Sequence, residues 1–359
     1  MTSKERVATA LEHREPDWVP IDYWAVPEVT EQLQKYLGLT RYEELLKHLN
    51  VDFRVFPGPR YIGPEFRTHP DGSVEDIWGV PRQTVNYEGG RGSYTHVTVP
   101  PLSTMDTVQQ IERYEKWPSP DWWDYASVAA DGAPVPGYCV VNKGDRLDRT
   151  AQLKPAMYLR GVDQILMDLI LNPKLVHAIV GQISEYFLEY NRRVFEAADS
   201  GIDIFMMGDD FGTQTGLMMD LRTWRRFFKD NFRRYIDLAH RYKIKVMHHT
   251  CGSVKELIPE FIDCGLDILQ SLQPKAKNMD LKTLKREFGQ YLCFHGGIDI
   301  QEVLPFGSVE DVGDMVKQVM EAGKPDGGYI ACTAHNIQVD TPVENIVALF
   351  EAYSEYGQA

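Results

Sequence analysis

A histidine and a cysteine separated by one residue lie in the stretch MHHTCGSVKELI, residues 247–258. Imidazole nitrogen and thiolate sulfur are the donors that zinc prefers, and a catalytic zinc site keeps three protein ligands and one open position. His249 and Cys251 supply two such donors, and Cys332 is the candidate for the third. The alternative is that both cysteines are small buried apolar residues and that His249 is a hydrogen-bonded turn residue.

Zinc in such a site could perform two kinds of chemistry. It could accept an incoming thiol, remove its proton and hold the anion at neutral pH, or it could polarise a leaving oxygen as a Lewis acid. Methyl transfer and hydrolysis both suit this arrangement. The spacing of the residues does not choose between them.

Acidic and imidazole side chains near the same segments could handle protons or substrate. Asp209 and Asp210 precede FGTQTG, and each could be a general acid or base, could orient a ligating histidine, or could cap the next helix. His335, in TAHNIQ, could donate a proton or simply bond to the loop backbone. The candidate substrate contacts are Asp22, Tyr23, Trp24, Gln273, His295 and Asn336.

The elements that must position these residues alternate between β-rich runs and amphipathic segments. Strands are predicted at 19–24, 51–56, 137–142, 201–208, 243–249, 266–270, 291–296 and 328–332. Helices are predicted at 3–13, 28–36, 155–171, 173–199, 220–242, 253–265, 280–288, 308–322 and 341–356. Asp220 and Ser253 are expected to cap the starts of two of these helices, and Thr341 with Pro342 to open the last one.

Alternating strands and helices allow an open doubly wound sheet or a closed barrel. The count of eight favours an α/β fold of the (β/α)8 TIM barrel type. Polar candidate residues then gather at the carboxyl ends of the strands, where barrel enzymes place their active sites. Residues 61–100, rich in Gly, Pro, Thr and aromatics, read as a β-hairpin insertion after the second strand. We expect residues 1–359 to form a single domain.

Charge and composition exclude several classes of protein. A formal charge of -14 argues against a nucleic-acid surface. No run approaches the ~20 apolar residues that a membrane span needs, and the first residues lack the apolar core of a signal peptide, so we expect no membrane partner and a cytoplasmic location. Five cysteines are an odd number, which disfavours a disulfide framework.

Five segments together resemble the uroporphyrinogen decarboxylase superfamily, in particular its methyltransferase branch. They are SKERVATALEHREPDWVPIDYW, GDDFGTQTGLMMDLRTWRRFFKDNFRRYIDLAH, HHTCGSVKELIPEFIDCGLDILQSLQP, FHGGIDIQEVLP and GGYIACTAHNIQVDTPVENIVALFEAY. The resemblance implies a distorted TIM barrel. It also implies zinc held by a His-x-Cys pair and a distant cysteine, which are His249, Cys251 and Cys332 here.

Methyl transfer to or from a cobalamin (corrinoid) carried by a partner protein is the activity that this resemblance implies. The other partner would be a thiol, a tetrahydrofolate nitrogen or a small methylated or methoxylated compound. Some O-demethylating relatives use two acidic residues and a histidine, and Asp299, Asp314 and His335 could mimic that set. Cys332 lies in CTAHNIQ, outside the Gly-Cys-Gly context of thiol-methylating members. The direction of transfer and the oligomeric state stay open, with a homodimer as one option.

Two further functions compete with methyl transfer. One is a metal-free decarboxylase or lyase in which Asp209 and Asp210 act alone. True uroporphyrinogen decarboxylases have an Arg-rich N-terminal motif, whereas VPIDYWAVPE contains no Arg, and Asp22, Asp209 and Asp210 are expected to make the mouth acidic and to repel a polycarboxylate. The other is a non-catalytic barrel that binds a corrinoid or tetrapyrrole.

Overall fold

The computed structural model describes residues 1–86, 93–131, 135–144 and 149–358. In chain order the strands are β1 Phe53–Val55, β2 Arg60–Tyr61, β3 Val74–Glu75, β4 Pro81–Asn86, β5 Ser93–Val97, β6 Trp123–Asp124, β7 Cys139–Asn142, β8 Ile204–Gly208, β9 Lys245–His249, β10 Ile268–Leu272, β11 Cys293–Ile298 and β12 Tyr329–Thr333.

The described helices follow the same alternation. They are α1 Ser3–Leu11, α2 Pro27–Leu37, α3 Tyr42–His48, α4 Val108–Glu112, α5 Ala126–Asp131, α6 Leu153–Arg160, α7 Val162–Leu171, α8 Pro173–Ala198, α9 Leu221–Phe227, α10 Lys229–Arg241, α11 Ile258–Asp263, α12 Leu281–Phe288, α13 Val303–Phe306, α14 Val309–Gly323 and α15 Val343–Tyr356. None of the helices described is long and apolar enough to span a bilayer.

Seven strands form one curled parallel sheet in the order β1-β7-β8-β9-β10-β11-β12. Every neighbouring pair is parallel, as βα alternation requires. The strands from β8 to β12 are buried almost throughout, which agrees with their Ile, Met, Phe and Cys content. This arrangement brings all their carboxyl ends to one edge of the sheet, where the candidate residues are concentrated.

The predicted first strand, residues 19–24, forms isolated bridges instead of a continuous strand. On one side the amide of Asp22 donates to the carbonyl of Ala331, and the amide of Ala331 donates to Pro20. On the other side the amide of Asp52 donates to Ile21, but the amide of Ile21 bonds to the Asp52 side chain at 2.8 Å. A carboxylate therefore replaces the backbone ladder, although the segment still lies between β12 and β1.

Several predicted helix boundaries were wrong. The predicted helix 155–171 divides at Gly161, which ends α6 with a φ of 96 degrees. The predicted start at Ser253 fails because its hydroxyl donates to the carbonyl of Lys277, and a short 3-10 turn precedes α11. Pro342, not Thr341, is the residue before α15. Asp220 caps α9 as expected, by accepting a hydrogen bond from the amide of Thr223.

The predicted insertion contains antiparallel strands. β3, β4 and β5 form a three-stranded sheet, in which β4 and β5 pair from Arg82 opposite Val97 to Asn86 opposite Ser93. The turn that would connect them, residues 87–92, lies outside the described residues. The hairpin as a whole therefore stays a prediction.

Candidate metal and substrate site

Three potential metal ligands come together after β9 and β12. The ligand atoms of His249, Cys251 and His335 all lie within 4.8 Å of one another. The Nε2 atom of His249 is 3.4 Å from the Cys251 sulfur. Tetrahedral zinc, with Zn–N near ~2.0 Å and Zn–S near ~2.3 Å, requires such a pair to be about 3.5 Å apart. The donor types and this separation fit zinc.

Gln270 on β10 orients the His249 ring. Its side-chain oxygen accepts a hydrogen bond from Nδ1 of His249, so Nδ1 carries the proton and Nε2 keeps its lone pair. Burial lowers the pKa of His249 to about 3, with the positive charge of Arg149 adding to the effect, and the ring is neutral at pH 7. A neutral, oriented imidazole is the form that ligates a metal.

Asp210 contacts the same group from the loop after β8. Its Oδ1 atom accepts the amide of Cys251 at 3.1 Å and lies 3.6 Å from Nε2 of His249, and its Oδ2 accepts from Lys154. Burial alone would raise the pKa of Asp210, but the neighbouring His249 ring, the Lys154 ammonium and the amide of Cys251 together outweigh burial and hold that pKa well below its usual value. Asp210 is therefore an ionised carboxylate that holds the Cys251 loop.

The structure separates Cys332 from the other two predicted ligands. Its sulfur groups instead with Asp22 and His295, again within 4.8 Å. Among the described residues, no group of this size unites His249, Cys251 and Cys332, and none unites Asp299, Asp314 and His335. The side chain of Cys332 is fully buried, and burial raises the pKa of its thiol well above the usual value.

Asp209 has the hydrogen bonds of a helix cap. Its carboxylate accepts the amides of Gln152 at 2.6 Å, Leu153 at 3.1 Å and Lys154 at 2.7 Å, at the start of α6. Burial raises its pKa to about 6, against the effect of these three amides. This geometry favours the structural alternative for Asp209 over a proton-transfer role.

Only some of the predicted substrate contacts line a cavity, and the others are engaged in hydrogen bonds within the protein. Trp24 and Asn336 line a cavity of about 600 Å³ at the carboxyl ends of β1 and β7, whereas Tyr23 is buried and bonds to Thr30 at 3.0 Å. Gln273 accepts the amide of Gly252 at 2.9 Å and so supports the loop that carries Cys251. The remaining two, Asp22 and His295, bond to each other at 2.9 Å.

The sequence did not predict two cations that lie in this cavity. Lys143 and Arg149 line it, with the Lys143 ammonium 4.8 Å and the Arg149 guanidinium 5.6 Å from the centre of the Trp24 ring. The signal available was VVNKGDR, a lysine one residue after a predicted strand. The expected acidic mouth is therefore wrong for this cavity: Asp22 is bonded within the core, and the charged side chains along the described lining are both basic.

The family model described as Uroporphyrinogen decarboxylase (URO-D) matches residues 150–356. The chain belongs to this family. A comparison with curated proteins finds no match.

Among solved structures, a methyltransferase from Methanosarcina mazei is similar with a TM-score of 0.66 and 19% identity, over 99% of each chain. A beta-N-acetylhexosaminidase has a TM-score of 0.40 at 11% identity, over 96% of this chain and 75% of that one. Domain 2 of a chitinase from Pyrococcus furiosus has a TM-score of 0.38 at 8% identity, over 96% of this chain and 99% of that one. The first likeness supports the fold, and the other two are too remote to bear on it.

Proposed function

We propose that this protein is a zinc-dependent methyltransferase that moves a methyl group between a small methylated or methoxylated substrate, or a thiol or tetrahydrofolate acceptor, and a corrinoid carried by a partner protein. One observation supports it most: the donor atoms of His249, Cys251 and His335 converge within 4.8 Å. Membership of the uroporphyrinogen decarboxylase family and the fold shared with a methyltransferase agree with this proposal. The corrinoid partner follows from the family resemblance alone.

His249, Cys251 and His335 are the proposed zinc ligands, with His335 in the place first assigned to Cys332. Three protein ligands leave a fourth position open, as catalytic zinc requires. Zinc bound there would supply Lewis-acid activation of a thiol or of a leaving oxygen. His335 then has the role of ligand instead of proton donor.

The remaining residues of the site orient and enclose the reactants. Gln270 keeps the Nε2 lone pair of His249 directed at the Cys251 sulfur. Asp210 and Lys154 hold the Cys251 loop against α6. Trp24 stacks parallel to His249, with ring centroids 6.2 Å apart, and forms one wall of the cavity. A bound methyl group beside these ligands would be shielded from water by that wall.

We further propose that the sheet closes into a (β/α)8 barrel through residues 20–25. The backbone of this segment bonds to Ala331 and Ile337 on one side and to Asp52 on the other. In a closed barrel these bonds place Trp24 at the same mouth as His249 and His335. The closure thus explains how a residue near the start of the chain contributes to the cavity.

A metal-free decarboxylase on the same scaffold is the second candidate, because a cavity lined by Lys143 and Arg149 suits an acidic substrate. Metal removal distinguishes the two enzymes. Methyl transfer from methylcobalamin to a thiol or from a methoxylated compound to cob(I)alamin would be followed by the absorbance of the corrinoid. We expect this activity to disappear with a chelator and to return with zinc, whereas carbon dioxide release that survives chelation would favour the decarboxylase.

A further inference from the structure

We propose that the cavity beside Trp24 binds the carboxylate of an anionic substrate with an apolar body, and that Lys143 is its anchor. The inference rests on the proposed function, since it names the substrate class of the same site.

The lining of the cavity combines positive charge with polar and apolar surface. Among the described residues around the cavity the charged side chains are Lys143 and Arg149, and neither Asp nor Glu is present, although the whole chain has a formal charge of -14. Amide and hydroxyl groups also line the cavity, in Asn142, Thr150, Asn191 and Asn336. Rings and apolar chains complete the lining, in Phe56, Trp123, Tyr190, Phe205 and Met206.

Lys143 is partly buried, and the residues that the structure describes compensate its ammonium only in part. The described residues include no carboxylate in a salt bridge with it, and its close contact is the face of Trp24 at 4.8 Å. Asp22 acts on it from a distance, but the oxygens of Asp22 already accept from Tyr23, Trp24 and His295. A cation that is partly removed from water is stabilised most by an anion that forms a direct hydrogen bond with it.

The cavity has the size and position for a small substrate. Its volume of about 600 Å³ falls within the range of ~300–1,000 Å³ that is usual for small-molecule pockets. Trp24 belongs both to its wall and to the stack on His249, and Asn336 on its lining follows the proposed ligand His335. A carboxylate held at Lys143 therefore leaves the other end of the molecule near the metal ligands.

Calorimetric titration of the zinc-loaded protein with 4-methoxybenzoate and its neutral analogue 4-methoxybenzamide tests the inference, with benzoate and 3-methoxypropionate as further carboxylates. We expect the acids to bind and the amide to bind at least about tenfold more weakly. Lys143→Met, which keeps an unbranched chain of similar length, should weaken the acids at least about tenfold and leave the amide unchanged. Lys143→Arg should restore most of the affinity.

Lys317→Met is the matched control, because Lys317 is an exposed residue of α14 away from the cavity. Equal binding of acid and amide, an unaltered affinity in Lys143→Met, or no binding of any of the carboxylates would overturn the inference. The zinc content of the same preparations separates it from the proposed function. Lys143-dependent binding by a protein that holds no zinc would leave the carboxylate subsite standing and contradict the zinc methyltransferase.

Discussion

Two groups of three ligand-type residues lie near the same end of the sheet, and their surroundings differ. In the first, His249, Cys251 and His335, the cysteine and His335 are partly exposed. In the second, Asp22, His295 and Cys332, the histidine and the cysteine are fully buried and the Asp22 side chain is 13% exposed. Each group contains donors that zinc accepts, so residue type alone does not distinguish them.

Hydrogen bonding distinguishes the two groups. In the second group Oδ2 of Asp22 accepts both Nε2 of His295 at 2.9 Å and the indole N–H of Trp24 at 2.8 Å. The lone pairs of Asp22 and the N–H groups of His295 and Trp24 are therefore used in hydrogen bonds with one another, which stabilise the core. In the first group Gln270 occupies only Nδ1 of His249, which leaves Nε2 directed at Cys251. A metal site needs donor atoms that the protein holds in place but whose lone pairs are not used in hydrogen bonds.

The largest effect on stability is expected from breaking the second group. Asp22→Ala removes the acceptor of three partly buried hydrogen bonds, from Tyr23, Trp24 and His295, and should lower the free energy of unfolding by about 3–5 kcal/mol. Cys251→Ala in zinc-free protein should cost about 1 kcal/mol or less. Urea denaturation measures both, and equal losses would remove the distinction between a structural and a ligating group.

A smaller effect is expected from the residue that orients His249. Gln270→Leu leaves Nδ1 without its acceptor and should weaken zinc binding by about 10–100-fold, the usual effect of losing such a partner. Competition with a chromophoric chelator measures this affinity. Gln270→Glu keeps an acceptor at the same place and should retain zinc. If Gln270→Leu bound zinc as tightly as the unaltered protein, His249 would not ligate through the oriented Nε2 atom.

Much of the sheet could be predicted because βα alternation is a local signal. The strands from β8 to β12 lie within a few residues of the apolar runs that predict them, since each run is followed by an amphipathic helical segment. Residues 19–24 could not be assigned in this way. There the carboxylate of Asp52, distant in sequence, takes the amide of Ile21, and only the tertiary structure shows it.

The site was predictable where its residues are close in sequence. His249 and Cys251 are two positions apart at a strand end, whereas the choice of the proposed third ligand depended on where the last strand stops. The predicted strand ended at Cys332, but β12 continues to Thr333. This one-residue extension places Cys332 inside the buried strand and leaves His335 in the loop. Lys143 and Arg149 were missed because only the folded sheet brings them to Trp24.

Metal content of three preparations tests the central claim most directly. The unaltered protein, Cys251→Ser and Cys332→Ser would be expressed in zinc-replete medium and analysed by mass spectrometry for zinc per chain. We predict about one zinc in the unaltered protein and in Cys332→Ser, and less than about a tenth of one in Cys251→Ser, because a thiolate supplies one of three ligands. Zinc lost from Cys332→Ser but kept by Cys251→Ser, or absent from all three, would contradict the account.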